Sequence, residues 1–81
     1  MQDWPKDLQG RLSKVFTFKN YRQCFAFVSQ VVLLAEKKNH HPEILLKYNR
    51  VTITIFSHDE NKITSRDYEM VRLIDKIINN D

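Results

Sequence analysis

The chain has 81 residues, of which 42% are hydrophobic, and a formal net charge of +3. This length fits one domain, residues 1–81, and the hydrophobic content excludes a disordered chain. The 13 lysines and arginines are spread along the sequence, so we expect no direct binding of nucleic acid. Cys24 is the only cysteine, which excludes an internal disulfide. We recognise no signal peptide or membrane-spanning segment and expect a cytoplasmic protein without membrane contact.

The first predicted elements are two strands separated by a turn. Trp4 and Pro5 begin a short edge strand, because proline lacks the N–H that a central strand needs. Residues 7–10 are typical of a turn and include the only glycine of the chain. Apolar and polar residues then alternate over residues 11–18, which predicts a half-buried strand.

A long apolar helix follows, from the N-cap Asn20 to about Lys38. Its main apolar stripe consists of Tyr21, Cys24, Phe25, Val28, Val31, Val32 and Ala35. A second apolar set points elsewhere and consists of Phe27, Leu33 and Leu34. A helix that is apolar on more than one side requires burial on more than one side, which a domain of this size cannot supply alone. We therefore expect a homo-oligomer with the second set at the interface.

The next predicted feature is a β-hairpin. Residues 44–48 and residues 51–57 both have strand patterns, and the second run alternates strictly. Asn49 and Arg50 make a tight connection between them. A polar loop over residues 58–62 follows the hairpin.

The last predicted element is a helix over residues 65–79. Thr64 lies just before this helix and Asp67 lies in its first turn. The two residues have the spacing of a capping box. Its buried stripe consists of Met70, Val71, Ile74, Ile77 and Ile78. The order strand, strand, helix, strand, strand, helix predicts an α+β two-layer sandwich, with helices on one face of a sheet that contains antiparallel strands.

All three histidines lie at the ends of predicted elements. His40 and His41 follow the long helix and precede Pro42, and His58 ends the last strand. Histidine has an unperturbed pKa of about 6.5, so it can give or take a proton near neutral pH. Because the ends of rigid elements are where functional groups are presented, we interpret these histidines as candidates for acid/base chemistry.

Two other interpretations of the histidines stay open on the residues alone. An imidazole at a helix end can hydrogen-bond the last carbonyls, and three histidines with a water are a known zinc set. A metal site would need carboxylates behind its ligands, and the candidates are Glu36, Glu43 and Asp59. Glu36 lies at the i,i+4 spacing from His40 and could orient it. We interpret Asp67 as a helix cap rather than a catalytic group.

Taken together, these residues resemble pterin-4a-carbinolamine dehydratase. The matching positions are Ala35-Glu36, His40-His41-Pro42, Tyr48, Ser57-His58, Thr64 and Asp67. The resemblance implies a four-stranded antiparallel sheet with two main helices on one face, in a homotetramer built as a dimer of dimers. It implies dehydration of a 4a-hydroxytetrahydropterin to the quinonoid dihydropterin, in tetrahydrobiopterin recycling, with no metal and no bound cofactor.

With this resemblance, the acid/base interpretation becomes the best one. We expect His40 and His58 to form the catalytic pair and His41 to hold the hydroxyl or the ring, with the acid and the base left unassigned. The expected contacts to the pterin come from Glu36, Asn39, His40, His41, Ser57, His58 and Asp59. The alternative function is an oligomeric module that binds another protein, because some animal members of the family bind a homeodomain transcription factor.

Overall fold

The described residues form an antiparallel sheet and two helices. The computed structural model describes residues 4–57 and 59–79. Its elements in chain order are β1 (Leu12–Thr17), α1 (Tyr21–Lys38), β2 (Glu43–Leu46), β3 (Arg50–Ile55) and α2 (Ser65–Ile78). The predicted α+β class is confirmed, and each of these elements lies where the sequence predicted one.

The sheet has three strands in the order β1-β3-β2, with both pairs antiparallel. In its register Phe16 of β1 and Leu46 of β2 both lie opposite Val51 of the central strand. Alternate residues of β3, namely Val51, Ile53 and Ile55, are fully buried. One hydrophobic core joins these residues to Leu12 and Phe16 of β1 and to the buried residues of both helices. The period-2 pattern therefore predicted the buried face of the sheet correctly.

The described residues before β1, residues 4–11, fold back against it through one bridge rather than a strand. Lys6 pairs with Leu12, and the Ser13 N–H donates to the Pro5 carbonyl at 2.9 Å. Pro5 has no N–H to return a bond, which limits the ladder at this point. The predicted turn is present, with Gly10 at a left-handed φ of 79°. The four-stranded sheet and the two-layer sandwich stay predictions.

The helix α1 has the predicted N-cap but a buried stripe that differs in part from the predicted one. Asn20 caps it by accepting from the Gln23 N–H at 2.9 Å. Phe27, predicted at an interface, is 3% exposed, whereas Phe25, predicted in the core stripe, is 62% exposed. The buried stripe is Cys24, Phe27, Val31 and Ala35. The predicted stripe was wrong in this respect, because a helix with apolar residues on several sides does not itself fix which side meets the sheet.

The helices α1 and α2 run in opposite directions. Lys38 at the end of α1 approaches Glu69 near the start of α2, with 3.5 Å between the charged atoms. At the other end of the pair, Gln23 and Ile78 line the same groove. The end of α1 therefore lies beside the start of α2. Among the described residues, no helix is long and apolar enough to cross a membrane.

Candidate functional site

The candidate site lies where the chain leaves α1. Asn39 adopts the left-handed conformation, with φ 52°, and ends the helix. The His40 N–H then donates to the Ala35 carbonyl at 3.1 Å, which holds the backbone against the last turn. This geometry directs His40 towards α2, where its Nε2 lies 2.6 Å from Oδ1 of Asp67. The His40 side chain is 11% exposed and the Asp67 side chain is fully buried.

Asp67 connects three elements through its two carboxylate oxygens. Oδ1 faces His40 after α1, and Oδ2 accepts from the Thr64 N–H at 2.7 Å at the start of α2. Oδ2 also accepts from the hydroxyl of Ser57, just beyond β3, at 2.8 Å. A buried carboxylate is costly unless donors surround it, and here each oxygen has at least one partner. We call His40, Ser57, Thr64 and Asp67 the Asp67 network.

Ser57 lies inside this network rather than at the surface. Its residue is 1% exposed, and its hydroxyl lies 2.9 Å from the Thr64 hydroxyl in addition to its bond to Asp67. The sequence predicted Ser57 as a polar contact to substrate. In the structure its hydroxyl instead hydrogen-bonds Thr64 and Asp67 and so links the end of β3 to the start of α2.

His41 makes a second histidine–carboxylate pair, and this one is exposed. Its Nε2 contacts Oε2 of Glu36 at 2.5 Å, with 58% and 69% of the two side chains exposed. The suggested orientation of His40 by Glu36 is therefore wrong. The reason is the left-handed Asn39, which breaks the helical path, so the i,i+4 relation does not extend to His40.

The remaining predicted site residues lie around these two pairs. Asn39 and Asp59 are exposed. Asp59 binds Arg66 at 2.6 Å, and this side-chain hydrogen bond lowers the pKa of the Asp59 carboxyl below its usual value. His58, predicted as one of the catalytic pair, lies outside the described residues.

Sequence reasoning missed the central role of Asp67. The capping-box spacing located this residue correctly, and Asp67 does accept from the Thr64 N–H. A capping role accounts for this spacing and does not by itself indicate a contact with a histidine. The signal that was available is the number of acceptor sites, because a carboxylate that caps with one oxygen still has the other oxygen to offer.

No metal site is formed by the described part of the chain, residues 4–57 and 59–79, where no group of three His, Cys, Asp or Glu side chains could hold an ion. This finding does not test a zinc site formed by the three histidines, because His58 is not among those residues. The predicted absence of a metal therefore stays a prediction.

A cavity of about 290 Å³ lies at the far end of the helix pair from the histidines. Its lining is mostly apolar and consists of Phe18, Gln23, Ala26, Phe27, Gln30, Ile77 and Ile78. Pockets are common sites for small ligands, but they need polar groups that converge on the ligand. Because the acid/base candidates are elsewhere, we place the candidate site at the Asp67 network and the neighbouring His41–Glu36 pair.

Comparison with known protein families shows which family the chain belongs to. The sequence model of the family described as pterin 4 alpha carbinolamine dehydratase matches residues 1–77. The chain belongs to the pterin-4a-carbinolamine dehydratase family. The match covers the Asp67 network, both adjacent histidines and His58, so the resemblance seen in the sequence is confirmed.

Similar proteins of this family come from several bacteria. One from Prochlorococcus marinus (strain NATL2A) is 43% identical over 68 residues, which cover 84% of this chain and 72% of that protein. One from Brucella ovis is 38% identical over 78 residues, which cover 95% of this chain and 80% of the relative. Both carry the name pterin-4-alpha-carbinolamine dehydratase provisionally.

Two solved structures share the fold. A Brucella melitensis protein, described as a transcriptional coactivator/pterin dehydratase, has a TM-score of 0.85 at 39% identity and covers 93% of this chain and 81% of its own. A pterin dehydratase-like protein, identified as a RuBisCO assembly factor in the alpha-carboxysome, has a TM-score of 0.80 at 22% identity, with 99% and 94% covered. The second likeness shows the fold alone.

Proposed function

We propose that this chain is a 4a-hydroxytetrahydropterin dehydratase that releases the quinonoid dihydropterin and water, in tetrahydrobiopterin recycling. The observation that carries the proposal is the contact between His40 and the buried Asp67 in a chain of the dehydratase family. An imidazole held by a buried carboxylate is a common arrangement for a group that moves protons. The cytoplasmic location predicted from the sequence is part of the proposal.

The reaction requires one acid and one base. The bond between C4a and the hydroxyl oxygen breaks while the N5–H bond breaks, and the electrons of the latter form the N5=C4a double bond. The acid protonates the leaving hydroxide to give water, and the base accepts the N5 proton. A positioned acid or base typically contributes about 10²- to 10⁴-fold in rate. We assign these roles to His40 and His58, with no metal and no bound cofactor.

The pterin contacts come from exposed side chains near His40. Glu36, Asn39, His41 and Asp59 all have exposed side chains and are available to a ligand. His41 is the residue that we assign to hold the hydroxyl or the ring, and Glu36 is the acceptor for the amino group of the pterin. Ser57 is not included among the direct contacts, because its hydroxyl bonds within the protein.

Direct stopped-flow measurement of 4a-hydroxytetrahydropterin dehydration tests this proposal. We expect the protein to accelerate dehydration, and we expect the activity to survive dialysis against a strong chelator. Loss of activity on chelation, together with stoichiometric zinc in the protein as purified, would favour the metal hypothesis. No acceleration by folded protein would rule out the dehydratase proposal.

We also propose that the chain is a homo-oligomer, a dimer of dimers, whose interface includes the exposed side of α1. Tyr21, Phe25 and Val32 are exposed and share one side of this helix by their spacing. Contiguous exposed apolar residues usually mark an interface. The Phe25→Glu variant should lower the mass seen by light scattering, whereas Arg22→Glu, on the same exposed helix, should not. A monomeric native protein would contradict the proposal.

A second candidate function is the binding of another protein through the same side of α1. The exposed Phe25 favours it, and the solved relative described as a transcriptional coactivator/pterin dehydratase supports it by analogy. The two uses of this surface predict different behaviour of the pure protein. If oligomerisation covers Phe25, the side chain will be protected from solvent in the pure protein, and if a partner covers it, Phe25 will stay accessible until that partner is added.

A further inference from the structure

We infer that the groove between α1 and α2 is a docking site for an acidic amphipathic helix of a partner protein. The groove consists of two neighbouring cavities, of about 290 and about 240 Å³, which share Gln30 and Ile77. The second cavity adds Leu73 and Lys76 to the lining. We call this surface the α1–α2 groove. It lies away from the Asp67 network, so the inference does not depend on the proposed dehydratase activity.

The α1 side of the groove is separate from the side proposed for oligomerisation. Gln23, Ala26 and Gln30 line the groove, follow one another at helical spacing, and are exposed. Phe25, at the proposed interface, points about 100° away from Ala26 around the helix. Oligomerisation through Phe25 therefore does not by itself cover Gln23 and Gln30.

The groove has an apolar floor and polar groups spread along its length. Phe27, Leu73 and Ile77 supply apolar side chains to the lining. The polar Gln23 and Gln30 lie two helical turns apart on α1, which is about 10 Å at 1.5 Å per residue. Small-molecule sites instead have polar groups that converge on one ligand. A ligand of this groove must repeat apolar and polar groups along its length, as an amphipathic helix laid in a groove does.

The polar groups along the groove favour an acidic partner. Oε1 of Gln23 accepts from the Lys19 N–H at 3.0 Å, so the NH₂ group of Gln23 is left to donate. Within the described part of the chain, Gln30 makes no side-chain hydrogen bond and Lys76 makes no ion pair. None of the described lining residues is acidic. Carboxylates on a partner helix therefore meet donors and a cation, without repulsion from the lining.

Two other occupants fit this surface less well. Nucleic acid is held by several cations at once, and Lys76 is the only cation among the described lining residues. A second copy of the chain would bring the same lysine and the same uncharged amides, on a protein with a formal net charge of +3. Charge complementarity therefore selects a different protein with an acidic helix.

Binding of designed peptides tests the docking site directly. The probes are labelled peptides of about 15 residues, with leucines at helical spacing and glutamates on both sides of the leucine stripe. Matched peptides carry glutamine or lysine in place of every glutamate. By fluorescence anisotropy we expect the acidic peptides to bind, the glutamine peptides to bind about tenfold more weakly, and the lysine peptides not to bind. Equal affinities of the three kinds, or no binding of the acidic peptides, would overturn the inference.

Nuclear magnetic resonance locates the bound peptide on the wild-type protein. The side-chain amide signals of Gln23 and Gln30 should shift when the acidic peptide is added. The amide signal of Asn39, which is exposed at the other end of α1, should not shift. Shifts confined to residues on the Phe25 side of the helix would contradict the proposed location.

Variants in the groove separate its apolar and charged parts. Ala26→Trp fills the groove from an exposed position and should abolish binding of both the acidic and the glutamine peptides. Lys76→Glu should weaken the acidic peptide by about 3- to 10-fold and leave the glutamine peptide unchanged. The matched control is Lys6→Glu, an exposed cation beside β1, which should change neither affinity. Should Ala26→Trp fail to fold, Gln30→Glu replaces it, because a carboxylate in the groove should repel the acidic peptide.

The remaining outcomes concern the other occupants. A DNA duplex that displaces the acidic peptide at similar concentration would identify a general polyanion site and overturn the inference. Self-association of the pure protein that Ala26→Trp abolishes would show that a second copy covers the groove, and would also overturn it. Unchanged peptide affinity in both Ala26→Trp and Lys76→Glu would contradict the location. Each result is read without a dehydratase assay, so failure of the proposed function leaves this test intact.

Discussion

Two histidine–carboxylate pairs lie at the end of α1, one residue apart in sequence, and their environments are opposite. His40 and Asp67 are joined across two elements, with the carboxylate fully buried. His41 and Glu36 are joined within one turn of chain, with more than half of each side chain exposed. The contact distances are nearly equal, at 2.6 and 2.5 Å. Contact distance therefore does not distinguish the pairs, whereas burial and anchoring do, because solvent weakens an exposed pair and a buried carboxylate keeps its partners.

The largest expected difference between the pairs is in catalysis. His40→Ala should lower kcat by about 10²- to 10⁴-fold, equivalent to about 3–5 kcal/mol of transition-state stabilisation, because it removes one member of the proposed acid/base pair. His41→Ala should raise KM at least as much as it lowers kcat, since we assign His41 to hold the substrate. Stopped-flow dehydration assays of both variants, with circular dichroism to verify folding, give the comparison. Equal effects on kcat would show that burial does not set the roles.

The second difference is expected in stability. Asp67→Ala should lower the free energy of unfolding by about 3 kcal/mol, because the donors of Thr64, Ser57 and His40 are left buried without an acceptor. Glu36→Ala should change it by less than about 0.5 kcal/mol, as is usual for exposed pairs. Urea unfolding followed by circular dichroism measures both values. A loss at Asp67 as small as that at Glu36 would mean that the network is not a structural unit.

Local patterns predicted the elements and the carboxylate cap but not the pairing of the histidines. Alternation located the buried residues of β3, and Asn20 and Thr64 marked the starts of both helices. These features depend on neighbours within a few residues. The partner of His40 lies 27 positions away, and only the tertiary arrangement brings α2 to the end of α1.

The buried side of α1 could not be predicted for a related reason. Phe25 and Phe27 are equally hydrophobic, and both belong to apolar stripes at helical spacing. The packing of Phe27 on Phe16, with ring centroids 4.9 Å apart, decides which of them enters the core. Likewise, the pairing of Glu36 with His41 depends on one residue, Asn39, whose left-handed conformation redirects the chain.

The third difference between the pairs is their response to salt. The Debye length is about 10 Å at 0.1 M salt and about 3 Å at 1 M, so exposed ion pairs are screened and buried ones much less. Raising the salt concentration should shift the ring resonances of His41 and leave those of His40 nearly unchanged. Nuclear magnetic resonance titration with sodium chloride measures both rings in one sample. A matching response of the two rings would argue that His40 is as accessible as His41.

The smallest expected effect concerns a third carboxylate, Asp59, which pairs with an arginine. This pair tests whether exposure weakens a close ion pair that contains no histidine. Asp59 is exposed, and its pKa is lowered mainly by the hydrogen bond from Arg66. A lowered pKa in the folded state contributes stability above the unfolded pKa, and this contribution is lost as the pH falls through the folded value.

Arg66→Gln should return the pKa of Asp59 towards its ordinary value, so the variant and the wild type should differ in stability at neutral pH and converge in acid. Because the pair is exposed, the difference should be small and should shrink in high salt. A carbon-detected titration of the Asp59 carboxyl reports the pKa directly. A pKa that does not move in Arg66→Gln would show that Arg66 is not the cause of the shift.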